Sequence, residues 1–144
     1  TLSEKCPIWE MTATDKSNEA LKIAKLNTHN EINFYCGDWF DAVPDEKFDL
    51  IVSNPPYIDD HDPHLDNLKY EPLEALISGS NGLDDIRIII NESPKYLKEG
   101  GYLLLEHGFN QQKEIIGLLK ESFFNINTYK DLNNIDRAVL AQYK

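Results

Sequence analysis

At 144 residues the chain is long enough for one domain with a real core, burying about two-thirds of the surface its unfolded form exposes. Against 14 Lys and Arg stand 25 Asp and Glu, a net charge of −11, and so acidic a surface repels the phosphate backbone on which nucleic-acid affinity largely rests. Direct binding of DNA or RNA is therefore not expected, and a protein substrate or a small molecule fits better. With 41% hydrophobic residues, no apolar run near the length of a membrane span and no basic-then-apolar leader, the chain is expected in the cytoplasm and not in a membrane.

Thr1 opens a short polar stretch that resembles the tail of a helix, as in a piece of something longer. Cys6 and Cys36 lack C-x-x-C spacing and are too few for a disulfide framework, so both are expected to be ordinary reduced residues. Residues 10–15 read as a strand. Ser17 can cap the following helix, with Glu19 in its first turn and Ala20, Ile23, Ala24 and Asn27 marking one face. Residues 32–38 form a short alternating strand, and the apolar run 48–53 another.

A long loop is predicted from Ile58 to about Gly82, rich in Asp, His, Pro, Ser and Gly, and loops of that length in compact domains are usually lids or binding loops. Helix resumes with Leu83, Ile86, Ile89 and Ile90; Pro94 should kink or end it, and Gly100-Gly101 should stop the element that follows. Then come a buried strand over 102–106, a helix over 111–122, and two strands over 124–132 and 137–143 joined at Asn133-Asn134. This alternation predicts an α/β fold over 1–144: an open, mostly parallel sheet with helices on both faces, closed by a C-terminal antiparallel hairpin.

The most informative segment is Asn54-Pro55-Pro56-Tyr57, directly behind the run Phe48 to Ser53. It reads as a methyl-transfer site for a planar nitrogen. An amide or amino group is a poor nucleophile whose two N–H bonds must be held while its nitrogen faces an electrophile. Asn54 can offer a side-chain carbonyl to one N–H, the carbonyl of Pro55 can take the other, and Tyr57 can lie over the planar group. Neither proline has an N–H and both have φ fixed, so these carbonyls keep one orientation. The alternative is a strand that ends in a proline-stiffened turn.

In an open α/β sheet, ligands sit outside the carboxyl ends of the strands. Asp15 ends one strand and can accept from the hydroxyls of a ribose, or else cap the next helix. Asp38 and Trp39 follow the next strand; Trp39 can stack on an adenine and Asp38 can accept from its amino group, or Trp39 can simply pack. Asn54 ends the third. Three strand ends thus carry ribose, adenine and reacting-group candidates, as a nucleoside-bearing methyl donor requires.

These residues and their order resemble the HemK/PrmC family of S-adenosylmethionine-dependent methyltransferases that modify the glutamine of the GGQ motif in peptide-chain release factors. The likeness takes in Ala13-Thr14-Asp15, Gly37-Asp38-Trp39-Phe40, Phe48 through Ile58, Asp62-Pro63-His64-Leu65, Glu71-Pro72-Leu73-Glu74-Ala75-Leu76, Gly79 with Gly82-Leu83, Leu105-Glu106-His107-Gly108 with Gln111-Gln112, and Asp136-Arg137. The resemblance implies that Asp15 binds the donor's ribose, Trp39 its adenine side, and Asn54 both the donor region and the substrate amide, with Pro55, Pro56 and Tyr57 completing the glutamine pocket. It implies no metal, and an in-line displacement of methyl from sulfonium to amide nitrogen, driven by proximity and by the two fixed acceptors.

Set against that family, the first strand and the glycine-rich loop for the methionine part of the donor are missing, as is an N-terminal helical domain. The expectation is a partial C-terminal methyltransferase domain. Two other readings use the same residues: an adenine-N6 methyltransferase of DNA or RNA, against which the acidic surface weighs, and a donor-dead fragment that keeps only the glutamine pocket. A metal at His61 and His64 is not expected, because ligands crowded among Asp59, Asp60 and Asp62 on a loop read as a solvated lid.

Overall fold

A computed structural model describes residues 2–61 and 72–144, in two compact units, Thr1–Glu46 and Lys47–Lys144. The first unit runs α1 (Leu2–Lys5), β1 (Thr12–Asp15), α2 (Asn18–Leu26) and β2 (Asn33–Cys36). β1 and β2 pair in parallel, from Thr12 against Asn33 to Asp15 against Cys36. Both strands are shorter than the sequence suggests. Residues 37 and 38 leave β2 because the chain turns back there, the Asp41 N–H donating to the carbonyl of Asp38 at 2.9 Å.

Ser17 caps α2 as expected, its hydroxyl accepting from the Ala20 N–H at 3.2 Å. The buried side of this helix differs from the predicted face. Leu21 is buried and Ile23 is 60% exposed, because α2 packs on both strands with its less exposed stripe at Ala20, Leu21 and Ala24, and Ile23 lies about 60° beyond the end of that stripe.

The second unit begins with β3 (Phe48–Ser53), at the bounds the apolar run predicts. Short 3₁₀ turns at Leu73–Ala75 and Gly79–Asn81 break up the expected loop, and Ile58 makes an isolated parallel bridge with Ile77. There follow α3 (Asp84–Glu92), β4 (Leu97–Glu106), α4 (Gln112–Leu119), β5 (Phe123–Lys130) and β6 (Asp136–Tyr143). The sheet order is β3-β4-β6-β5, with β3 parallel to β4 and the other two pairings antiparallel. The α/β class and the closing hairpin are therefore as expected. Asp131 shapes its turn by accepting from the N–H groups of Asn133 and Ile135 at 2.8 and 3.0 Å.

Pro94 does end α3, in a 3₁₀ turn at Ser93–Lys95. Gly100-Gly101, however, does not separate two elements. β4 runs through both glycines, with a register break opposite Phe48 and Leu50. A Cβ on Gly101 would stand 2.9 to 3.2 Å from the carbonyl oxygens of Lys98, Phe48 and Asp49, so the absent side chain is what lets β4 lie this close to β3.

Leu83, Ile86, Ile89 and Ile90 line the inner side of α3 and pack in a core with Leu97, Leu103 and Leu105 of β4, Ile115 and Leu119 of α4, and Val139 and Ala141 of β6. Each large side chain so buried contributes about 1.5 to 3 kcal/mol. The α3 N-terminus takes its cap from a distance: buried Ser78 accepts from the Asp85 N–H at 2.8 Å, and Asn81 accepts from the Leu83 N–H at 3.2 Å.

Candidate active site

Parallel pairing in the first unit sets Asp15 beside Cys36, so Asp15 and the turn after β2 leave the same end of the strand pair. The turn is tight, since a Cβ on Gly37 would fall 2.4 Å from that of Ala42. Within it Trp39 has φ of +43°, a left-handed conformation uncommon for a bulky residue, and its carbonyl accepts from the Thr14 hydroxyl at 3.2 Å. Trp39 is half-buried and Asp38 exposed. Asp15 is exposed too; its Oδ1 accepts from the Ser17 N–H at 2.7 Å, so this carboxylate helps start α2, and Oδ2 has no hydrogen-bond partner among the described residues.

In the second unit Asn54 follows β3 directly and is exposed, its side-chain amide without a hydrogen-bond partner among the described residues. Pro55 is fully buried, while Pro56 and Tyr57 are half-buried. Pro55 anchors the exit and leaves the Asn54 amide projecting from it. After Tyr57 the chain is pinned by the bonds Ile58 N–H to Leu76 O, Ser78 N–H to Ile58 O, and Asp60 N–H to Gly79 O, at 2.9, 3.0 and 3.2 Å.

Two residues not assigned a role from sequence converge on Tyr57. The two N–H groups of the Gln111 amide are shared among the carbonyls of Tyr57, Asn81 and Gly82, 2.9, 3.2 and 3.1 Å from Nε2, and its Oε1 accepts from the Gly108 N–H at 2.8 Å. The Arg137 guanidinium lies over the Tyr57 ring, 5.9 Å from its centroid, and donates to the His107 carbonyl at 3.3 Å. A signal for Gln111 was present in the chain: it stands four and eight residues before Ile115 and Leu119, in line with the buried stripe of α4.

His107 continues the inward alternation of Leu103 and Leu105 and is fully buried; its Nδ1 lies 2.8 Å from the Gly108 carbonyl, and its Nε2 has no hydrogen-bond partner among the described residues. Glu106, one residue before it, is half-buried. His61 is exposed, and its N–H donates to Asp59 Oδ1 at 2.7 Å. His64, the Asp62-Pro63-His64-Leu65 stretch and Glu71 lie outside the described residues. Among the described residues no group of three or more His, Cys, Asp or Glu could hold a metal ion, and no helix is long and apolar enough to cross a membrane.

The profile of the family described as "Methyltransferase small domain" matches residues 1–83, more than half of the chain. The chain belongs to this family. Among named relatives, the release factor glutamine methyltransferase of Coxiella burnetii is 47% identical over 141 residues, covering 94% of this chain and 51% of its own length. The enzyme of the same name from Pseudomonas aeruginosa is 38% identical, covering 99% and 54%. The chain spans about half the length of these relatives.

Solved structures bear out the methyltransferase fold. A methyltransferase from Pyrococcus furiosus superposes with a TM-score of 0.68 at 14% identity, over 98% of this chain and 68% of that one. The ribosomal protein L11 methylase of Lactobacillus delbrueckii subsp. bulgaricus gives 0.64 at 20% identity, over 94% and 58%. The N-methyltransferase NodS of Bradyrhizobium japonicum, solved with S-adenosyl-L-homocysteine, gives 0.55 at 18% identity, over 93% and 65%.

Proposed function

We propose that this chain serves the S-adenosylmethionine-dependent methylation of the side-chain amide nitrogen of the glutamine in the GGQ motif of peptide-chain release factors. The observation that carries the reading is the exposed Asn54 amide, without a hydrogen-bond partner among the described residues, at a strand exit anchored by buried Pro55. Family membership and the names of the relatives support it.

When bound, S-adenosylmethionine supplies a methyl group on a sulfonium. The first unit fits such a donor: Oδ2 of Asp15, without a hydrogen-bond partner among the described residues, is suited to a ribose hydroxyl, and Trp39, with Asp38 beside it, to an adenine. The second unit is assigned the amide. There the Asn54 carbonyl takes one N–H, the Pro55 carbonyl takes the other, and the Tyr57 ring covers the planar group. Both acceptors tighten as positive charge grows on the nitrogen, so they favour the transition state over the bound amide. The methylated nitrogen then releases its proton to water, a step that asks for no strong base.

The test is transfer of labelled methyl to a bacterial release factor, with duplex DNA as competing acceptor. Label is expected in the GGQ glutamine, and Asn54→Ala is expected to lower the rate at least about a hundredfold with little change in folding. Label in adenine, or an Asn54→Ala variant that turns over at the wild-type rate, refutes the assignment.

A further inference from the structure

The Gln111 side chain is the point at which the segments around Tyr57 are tied together. Its carboxamide meets four main-chain groups: three carbonyls share the two N–H groups of Nε2, one of them bifurcated, and one main-chain N–H donates to Oε1. The carbonyl of Tyr57 belongs to the Asn-Pro-Pro-Tyr exit, those of Asn81 and Gly82 to the turn before α3, and the Gly108 N–H to the loop after β4. Main-chain bonds of Ile58 already join the exit to the segment before α3, whereas the β3–β4 ladder ends at Ser53 and Leu105, so the Gln111 side chain supplies the link to the loop after β4.

Packing leaves this amide no room to shift. A Cβ on Gly82 would meet the Tyr57 carbonyl oxygen at 2.2 Å and Gln111 Nε2 at 2.7 Å, and one on Gly108 would meet Gln111 Oε1 at 3.0 Å and Tyr57 Cδ2 at 3.5 Å. Gln111 is itself 7% exposed, so its bonds face little competition from water. On the ring of Tyr57, Arg137 supplies a second hold through its guanidinium.

We propose that Gln111 is a positioning residue for the amide pocket: it fixes the main chain of Tyr57, and Arg137 fixes the ring, so that Tyr57 and the Asn54 and Pro55 acceptors before it keep one geometry. Gln111 does not touch the substrate. The proposal rests on the methyl-transfer reading of Asn54 to Tyr57 and deepens it. Its consequence is kinetic, since misplacing a reacting group by about 1 Å costs up to about a hundredfold in rate.

The test compares the wild-type chain with Gln111→Met, which keeps length and bulk without the hydrogen bonds, and Gln111→Glu, which keeps the acceptor for Gly108 and replaces the amine by a second oxygen facing three carbonyls. By NMR on the labelled chain, both variants are expected to lose the contact between the Gly108 Hα and the Tyr57 ring while the Val139 and Ile89 methyl shifts persist. The Gly108 amide should exchange faster in Gln111→Met alone. In methyl transfer to a Gly-Gly-Gln peptide, kcat per folded molecule should drop at least about tenfold with the KM for S-adenosylmethionine unchanged. A folded Gln111→Met variant with the Tyr57 ring contact and kcat of the wild type overturns the proposal. A wild-type chain that methylates no glutamine overturns the functional reading instead, and the NMR comparison still decides the brace.

Discussion

Replacing Gly82 by alanine tests the packing around Tyr57 against an internal control, Gly100→Ala. Both glycines have positive φ, +67° and +76°, so either substitution forces an L side chain into the left-handed region, at about 1 to 2 kcal/mol. Both also stiffen the unfolded chain by the same amount, a gain that cancels in the comparison. The difference lies in what the new methyl group meets. At Gly100 the nearest atom is the end of a flexible side chain, Gln142 Nε2, at 3.6 Å, an ordinary contact. At Gly82 it is the main-chain oxygen of Tyr57 at 2.2 Å, which must move away from its place among the three carbonyls that share the two Gln111 N–H groups. A methyl group that forces main chain to shift in a well-packed region costs about 1 to 3 kcal/mol, so Gly82→Ala is expected to be about 2 kcal/mol the more destabilising of the two. Urea unfolding followed by far-ultraviolet circular dichroism, with equal slopes required, measures that gap. Equal losses for the two variants would refute the claim that the Tyr57 carbonyl is immovably placed.

Ser78→Ala removes the remote cap on α3 and is expected to cost about 1 kcal/mol, against less than about 0.5 kcal/mol for exposed Ser80→Ala; a cap contributing nothing would make the two variants unfold at the same urea concentration. Asp15→Ala and Trp39→Ala should each weaken S-adenosylmethionine binding, the first by the about 1.5 to 3 kcal/mol of a charge-assisted hydrogen bond, and neither should alter affinity for the release factor. Calorimetry giving wild-type donor affinity for both variants would remove the first unit from the donor site.

What could be read from the chain alone follows the reach of each signal. β3 was legible to the residue because a short apolar run and a following double proline act within a few positions, and Ser17 because an N-cap bonds three residues ahead. The place of Asn54 to Tyr57 at the exit of that strand was legible for the same local reason. The strand through Gly100-Gly101 was not, since a glycine pair reads as a stop unless one knows that the carbonyls of Phe48 and Asp49 press against it from another strand. Gln111 escaped because its partners lie 54, 30, 29 and 3 positions away, and no local pattern distinguishes an amide that ties four main-chain groups from one that solvates a helix start. Ile23 was misjudged on a helix correctly placed, because which side of a helix is covered depends on the sheet beneath it.

Both tryptophans of the chain, Trp9 and Trp39, belong to the unit Thr1–Glu46. Indole emission therefore watches one unit and is blind to the other, whereas far-ultraviolet ellipticity sees every strand and helix. An unfolding curve recorded both ways dissects the molecule without a label: superimposed curves mean that the units melt as one cooperative block, and separated curves give each its own midpoint. With Trp9 replaced by phenylalanine the emission narrows to a single indole at the turn after β2, an optical reporter already seated where the methyl donor is proposed to bind.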